Sequence, residues 1–335
     1  MTQGARPVFS TVSSSASTST TAPSPRPLGR PHEGHPRLLP IAPRRKIGLL
    51  AGSGRFPILF AEAARRQGLE VYCVGIRYEA ADELVPLCAR FEWVSVTRMN
   101  SMIQAFQRMG IDEVVMAGKV IKNVMYTPWR ILRLWPDRRT VRWWRNLPDR
   151  KDDTVLLSLI DEFARDGIRF TSALDYCPEL LVDHGLLSCR PLSPLERGDV
   201  AFGWRLAKAM GGLDVGQSVA VKERAALAVE AIEGTDRCIE RAGQLCKAGG
   251  WTLVKVAKPQ QDMRFDVPTI GLSTIENLAR ARARVLAVEA QKTILIDRDL
   301  VIARANHYGI TLIALTNAEA EAMEAEATAA AKPNS

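Results

Sequence analysis

The chain has 335 residues, 47% of them hydrophobic, and a formal net charge of +8. That length can bury one large core or two moderate ones, and the usual size of a domain favours two. No apolar run approaches the roughly 20 residues that cross a bilayer, and Ser10–Thr21, almost all Ser and Thr, offers no secretory apolar core, so a spanning or exported protein is not indicated. The charge does not argue for nucleic acid either. Seven Lys/Arg and one Glu precede Ile47, which leaves 38 basic and 36 acidic residues in the rest of the chain, and a whole-surface nucleic-acid footprint is therefore not expected. Cys73, Cys88, Cys177, Cys189, Cys238 and Cys246 are spread without a CxxC spacing and read as reduced thiols of a cytoplasmic protein. Two of the four histidines, His32 and His35, fall in a polar leader, which disfavours a His/Cys zinc site.

Residues 1–40, rich in Ser, Thr, Pro and Gly, bury too little apolar surface to offset ordering entropy and read as a disordered leader. The N-terminal domain, 41–187, opens on the apolar strand Lys46–Leu50, which leads through Ala51-Gly52-Ser53-Gly54-Arg55-Phe56-Pro57 into a helix at Ile58–Arg66. Strands follow at Leu69–Ile76 and Glu113–Ala117, the second ending at Gly118-Lys119, and a helix at Thr154–Asp166. Strands alternating with helices predict a parallel sheet wrapped on both faces, with phosphate-sized ligands beyond the C-terminal strand ends. Residues 188–199, with two prolines, a glycine and no apolar periodicity, read as a linker. The C-terminal domain, 200–316, is α/β again: strands at Ser218–Val221 and Leu227–Ala231, a helix from Asp236, a strand at Thr252–Ala257 and a helix from Thr274. Paired strands near Val285–Val288 and Thr293–Ile296, a helix from Asp299 and a last strand at Ile310–Leu315 complete it. The tail, 317–335, sets Glu319, Glu321, Glu324 and Glu326 among alanines and has no apolar stripe to dock it.

Four segments could carry chemistry. The turn at Gly52, Ser53 and Gly54 can turn backbone N–H groups toward an anion at a helix mouth, or can simply be tight. It is a poor dinucleotide fingerprint, because Pro57 occupies the third glycine position and Val74-Gly75-Ile76-Arg77 supplies no ribose-binding acid. Arg150-Lys151-Asp152-Asp153 opens a helical pattern, where Asp152 and Asp153 either interact with the helix N-terminus or orient a hydrated metal. Gly234-Thr235-Asp236 joins a strand to a helix; one polar side chain can cap the helix and the other point outward. The run from Lys255 to Gly271 contains Lys258, directly before Pro259, and Gln260, Gln261, Asp262, Arg264 and Asp266 between Pro259 and Pro268. It offers what metal-assisted phosphoryl chemistry needs, a carboxylate for an ion or water and cations for the phosphorus oxygens, although a plain surface loop could look the same.

A fifth segment stands apart. Trp129, Trp135, Trp143 and Trp144 are interleaved with Arg130, Arg133, Arg138, Arg139 and Arg142, and Tyr126–Arg150 holds seven Arg against Asp137 and Asp149. Indoles favour the headgroup region and arginines attract anionic lipid, which suggests peripheral membrane contact. The alternatives are an interface in a homo-oligomer, a single-strand nucleic-acid platform and ordinary packing.

Ile47-Gly48-Leu49-Leu50-Ala51-Gly52-Ser53-Gly54, Leu213-Asp214-Val215-Gly216-Gln217-Ser218, Glu230-Ala231-Ile232-Glu233-Gly234-Thr235-Asp236 and the stretch from Lys258 to Gly271 closely resemble the LpxI family, the UDP-2,3-diacylglucosamine pyrophosphatases of lipid A synthesis. The likeness continues through Thr274-Ile275-Glu276-Asn277 and the strands near Val285 and Thr293. It implies a Rossmann-like N-terminal domain plus a second α/β domain particular to the family, with an acylated nucleotide sugar held between them. It further implies Mg²⁺-assisted attack of water on the β-phosphorus of UDP-2,3-diacylglucosamine, giving 2,3-diacylglucosamine 1-phosphate and UMP. On that reading Asp266 and Asp236 are catalytic and, with Asp152 and Asp153, hold the metal; Gly52, Ser53, Gly54, Thr235, Lys258 and Arg264 contact substrate. Lys151 stands where the family's basic-Gly-Asp-Asp stretch has glycine. A non-catalytic nucleotide-lipid binding or regulatory protein on the same scaffold is the alternative. A membrane-borne substrate fits a cytoplasmic protein peripheral on the inner membrane.

Overall fold

The structure, a computed structural model, describes residues 45–119, 135–260, 262–264 and 267–331. The predicted leader at 1–40 lies outside the described residues.

The N-terminal domain contains β1 (Lys46–Ala51), α1 (Phe56–Arg66), β2 (Glu70–Ile76), β3 (Arg90–Val94), α2 (Met99–Met109), β4 (Glu113–Ala117), α3 (Arg138–Asn146), α4 (Asp152–Ala164) and β5 (Arg169–Thr171). Its five strands are all parallel in the order β3-β2-β1-β4-β5. The order reverses between β1 and β4, where open α/β sheets leave a crevice beyond the strand ends. Alternate residues of one strand face opposite layers. Ile47, Leu49 and Ala51 pack with Phe60, Ala61 and Ala64 of α1, while Leu50 joins Met102, Ile103 and Phe106 of α2 and Phe163 of α4. Both faces of the sheet are thus covered, as near-continuous apolar strands require.

The C-terminal domain contains β6 (Gly185–Leu186), α5 (Pro194–Gly212), β7 (Ser218–Lys222), β8 (Ala225–Val229), α6 (Thr235–Leu245), β9 (Trp251–Lys255), β10 (Thr269–Ile270), α7 (Leu272–Arg280), β11 (Ala283–Glu289), β12 (Ile294–Leu295), α8 (Arg298–His307), β13 (Thr311–Leu315) and α9 (Asn317–Ala331). A mixed sheet runs β6-β13-β11-β9-β7-β8. One face packs α6 and α7 through Ala220, Leu253, Ile239 and Ile275; the other packs α5 through Val219, Val254, Trp204 and Val200.

Several expectations need correcting. The linker is not irregular throughout: Pro194 starts α5, whose N-terminus has a capping box in which Glu196 N–H donates to Ser193 Oγ (3.3 Å) and Ser193 N–H to Glu196 Oε2 (2.8 Å). The apolar period begins after the cap, so the prolines disguise a helix start. Nor do the strands near Val285 and Thr293 pair with each other. β11 lies between β9 and β13, and β12 pairs with β10. The tail does dock: α9 buries Ala320 and packs Met323 on the α5 face of the core, and Trp204 Nε1 donates to Asn317 Oδ1 (2.9 Å). Alanine is small enough to need no stripe of large residues.

The chain crosses between domains by a splice. Leu181 bridges Ile294, Val182 N–H donates to Thr293 O (2.9 Å), and Gln291 N–H donates to Val182 O (2.9 Å). Val182 is fully buried in the C-terminal core.

Candidate functional site

At the point where strand order reverses, the loops after β1 and β4 lock together. Gly52 N–H donates to Ala117 O (2.9 Å), Ser53 N–H to Lys119 O (2.7 Å), Lys119 N–H to Ser53 O (2.9 Å) and Ser53 Oγ to Lys119 O (2.8 Å). A Cβ on Gly52 would stand 2.4 Å from Lys119 O. The Gly52 and Ser53 donors expected to face an anion are therefore spent on the neighbouring loop, and Gly52 is needed for close backbone approach. Gly54, exposed with φ 98°, faces open space. The next residue, Arg55, spans the domains, its Nε donating to both carboxylate oxygens of Asp297 (3.1 and 3.2 Å) just before α8.

The polar loop leaves β9 through a buried clamp. Glu289 Oε2 accepts from Ala257 N–H (2.9 Å) and from Lys208 Nζ (2.5 Å); Lys208 Nζ also donates to Ala257 O (2.9 Å), and Lys292 lies 3.0 Å from Glu289 Oε1. Burial lowers the Lys208 ammonium pKa, an effect opposed by Glu289. One residue on, Lys258 is buried and its Nζ contacts Asp214 Oδ1 at 2.5 Å. The loop then meets the N-terminal domain, where Ser172 Oγ, just past β5, donates to Met263 O (3.0 Å). Arg264 grips Asp262 in bidentate fashion, its Nε to Oδ1 at 2.9 Å and its Nη2 to Oδ2 at 2.6 Å. This pairing holds the Asp262 carboxyl below the usual range and raises the Arg264 guanidinium. The loop closes where Ile294 N–H donates to Pro268 O (2.7 Å).

Gly234-Thr235-Asp236 starts α6 differently from the expectation. Gly234 is the N-cap, with φ 83°, and no side chain caps the helix. Thr235 Oγ1 instead donates to Glu230 Oε1 (2.8 Å) and accepts from Lys255 Nζ (3.1 Å). Asp236 is exposed, and its Oδ1 accepts from Asn277 Nδ2 (2.8 Å). Asp236 and Asn277 stand in a groove of about 760 Å³ between α6 and α7, also lined by Arg237, Glu240, Lys247 and Arg280.

Asp266 and Gln261 lie outside the described residues, as do the side chains of Asp152 and Asp153; α4 begins at Asp152. Among the described residues no three His, Cys, Asp or Glu side chains gather as a metal site. The described donors near the Gly-Thr-Asp turn are nonetheless of the right kind for Mg²⁺: the Asp236 carboxylate, and Glu230, whose Oε2 is buried with no hydrogen-bond partner among the described residues. Hard oxygens of this type suit Mg²⁺ rather than a metal that prefers thiolate or imidazole.

Of the Trp/Arg segment, Trp129, Arg130 and Arg133 lie outside the described residues. Trp143 is no surface anchor: its Nε1 donates to Ser158 Oγ (2.8 Å) and its ring packs on the N-terminal core. Trp144 lies under the Arg150 guanidinium at 4.5 Å. Arg139 turns inward to Glu162 and Asp166. The exposed face of α3 carries Arg138, Val141, Arg142 and Arg145, preceded by exposed Trp135.

Glu230, Lys255, Glu289 and Lys208 were not among the expected site residues. Their signal was a charge inside an otherwise apolar strand or helix face, as in Trp251-Thr252-Leu253-Val254-Lys255, which composition alone leaves looking like a strand end.

Fold and site together define a two-domain α/β protein in which a polar loop of the second domain lies against the C-terminal end of the first domain's parallel sheet. The family models for the LpxI N-terminal domain and the LpxI C-terminal domain match residues 46–180 and 183–313, and the chain belongs to the LpxI family. A relative from Caulobacter vibrioides, named UDP-2,3-diacylglucosamine pyrophosphatase LpxI, is 31% identical over 281 residues, covering 80% of this chain and 97% of the relative. Solved structures superpose weakly. A UDP-glucose 4-epimerase of Thermus thermophilus has 12% identity and a TM-score of 0.31 over 83% of this chain and 92% of that one. A phosphoribosylglycinamide synthetase of Anaerococcus prevotii has 14% identity and a TM-score of 0.22 over 59% and 34%. Such scores establish no common fold.

Proposed function

We propose that this chain hydrolyses the pyrophosphate of UDP-2,3-diacylglucosamine to 2,3-diacylglucosamine 1-phosphate and UMP. The observation that carries the reading is the match to the Caulobacter vibrioides pyrophosphatase over 97% of that protein's length. The anchored loop supports it, since a mixed-charge segment fixed at both ends and touching both domains suits a site that orients an anionic substrate.

In this mechanism the water oxygen bonds to the β-phosphorus, the bond from that phosphorus to the bridging oxygen breaks, and the bridging oxygen leaves with UMP. Asp266 positions the water. Lys258 and Arg264, paired here with Asp214 and Asp262, exchange those carboxylates for phosphate oxygens as the substrate arrives. Asp266 and Asp236, with Asp152 or Asp153, would hold Mg²⁺, which supplies positive charge against the phosphate oxygens. An Asp266→Ala protein with parent-like circular dichroism is expected to release UMP at least about 1,000-fold more slowly, on the scale set by loss of a group acting in the transition state. UMP release at the parent rate would remove Asp266 from the chemistry.

Because the substrate is acylated, the reading extends to a cytoplasmic enzyme that touches an anionic membrane surface through α3. Among the described residues no helix is long and apolar enough to cross a membrane, whereas Arg138, Arg142 and Arg145 form one exposed basic stripe. At about 1 kcal/mol per arginine near such a surface, changing all three to Glu should weaken binding to anionic vesicles by at least about 10-fold. Unchanged vesicle binding would count against this face.

A further inference from the structure

Ser218, Lys255 and Glu230 lie side by side in the C-terminal sheet. Ser218 is directly opposite Lys255 in the antiparallel β7–β9 pair. Val219 opposite Val229 brings Glu230, the residue after β8, alongside Ser218, and Glu230 N–H donates to Ser218 O (2.9 Å). Opposed residues share a face, and this is the face of Ala220, Ala228 and Leu253, against which α6 and α7 pack. A polar row with two charged members has therefore been built into an apolar layer: Ser218 is 0% exposed, Lys255 5% and Glu230 8%. Ser218 Oγ and Glu230 Oε2 have no hydrogen-bond partner among the described residues. Burying such groups costs stability, and an apolar replacement of similar shape is often neutral or better. Stability alone does not account for the row.

What the row does is visible at its lysine. Lys255 Nζ donates to Thr235 Oγ1 (3.1 Å) and to Thr269 O (3.3 Å), while the Thr235 hydroxyl donates to Glu230 Oε1 (2.8 Å). Thr235 begins α6 and directly precedes Asp236; Thr269 begins β10, three residues after Asp266. One ammonium thus joins the two segments that carry the proposed catalytic carboxylates, and Glu230 fixes the direction of the Thr235 hydroxyl between them. A lysine suits the task, having several donors on one nitrogen at the end of a long stem.

We infer that Lys255 is a positioning residue of the hydrolytic site, setting the Gly-Thr-Asp turn and the start of β10, three residues past Asp266, in register, with Glu230 and Thr235 as its relay. The inference rests on the hydrolase reading for its catalytic half and on geometry alone for the tie.

The test compares the full-length parent with Lys255→Met and with the double variant Lys255→Met/Glu230→Gln, which leaves no unbalanced charge in the row. In both variants the amides of 235–236 and 269–270 should exchange hydrogen at least about 10-fold faster than in the parent, with β13 unchanged. In Mg²⁺-supplemented UMP-release assays kcat should fall about 100-fold, the size of effect produced by misplacement of about 1 Å, with KM within about 3-fold, as for an interaction felt chiefly in the transition state. The double variant should recover thermal stability without recovering kcat. Unchanged exchange at both segments overturns the tie. Recovery of kcat together with stability shows that Lys255 only balances Glu230, and also overturns the inference. A parent that releases no UMP overturns the hydrolase reading and the catalytic half with it, while the exchange data still decide the tie.

Discussion

The C-terminal ends of the two sheets are built on opposite plans. In the N-terminal domain the loops after β1 and β4 are joined by backbone hydrogen bonds between Gly52, Ser53, Ala117 and Lys119, and β1 ends in a run of buried apolar residues. In the C-terminal domain, β9 and β11 end on Lys255 and Glu289, both buried, with Lys208, Glu230 and Lys258 buried or half-buried nearby. A loop that only has to keep its shape can be held by neutral backbone contacts. A loop that must present charges is held by charges, at a cost in desolvation. The contrast sets a second-domain loop base held by buried charges against a first-domain loop pair that forms a rigid wall of backbone contacts.

The harshest way to break this contrast is at Glu289. Replacing it by Ala leaves the Lys208 ammonium buried without its carboxylate and frees Ala257 N–H, so urea unfolding should show a loss of about 3–5 kcal/mol, with turnover lost as the loop base slips. A loss below about 1 kcal/mol would mean that the clamp is relaxed in solution. Gly52→Ala comes next. Its Cβ would press on Lys119 O at 2.4 Å, a clash that only separation of the two loops relieves, and the expected destabilisation is about 1–3 kcal/mol. If Gly52→Ala leaves stability unchanged but raises KM tenfold or more, the turn contacts substrate and the wall reading fails. The smallest effect is expected at Arg55→Ala. Arg55 and Asp297 are 50% and 32% exposed, so the loss should be below about 1 kcal/mol and should vanish in high salt.

Much of this architecture was legible because the strands are apolar and the turns carry glycine. Lys46–Ala51 and Glu113–Ala117 announce themselves, and so does the pairing of helices with strands. β3 is harder to read: Arg90-Phe91-Glu92-Trp93-Val94 sits at the sheet edge, half exposed, and alternates charge with aromatics. β10 and β12 are two residues long and exist through tertiary pairing rather than local preference. Within the site, the sequence points to the segments but not to their wiring. Lys258 reads as a cation for phosphate, but nothing local announces that Asp214, 44 residues away, lies beside it. Thr235 reads as a cap until its hydroxyl is found bonded to Glu230 and Lys255. Long-range partners of this kind leave no periodic trace.

The splice at Leu181–Val182 has a consequence for modularity. The apparent joint, with its prolines at Pro191 and Pro194, is not where the two halves come apart. Val182 is already a core residue of the second domain, and β6 pairs with β13. A fragment begun after the prolines would lose an edge strand and expose an apolar hole, whereas one begun just after Leu180 would keep its interior whole. Recombining halves between relatives, or exchanging one for another, is therefore a matter of cutting upstream of the obvious hinge.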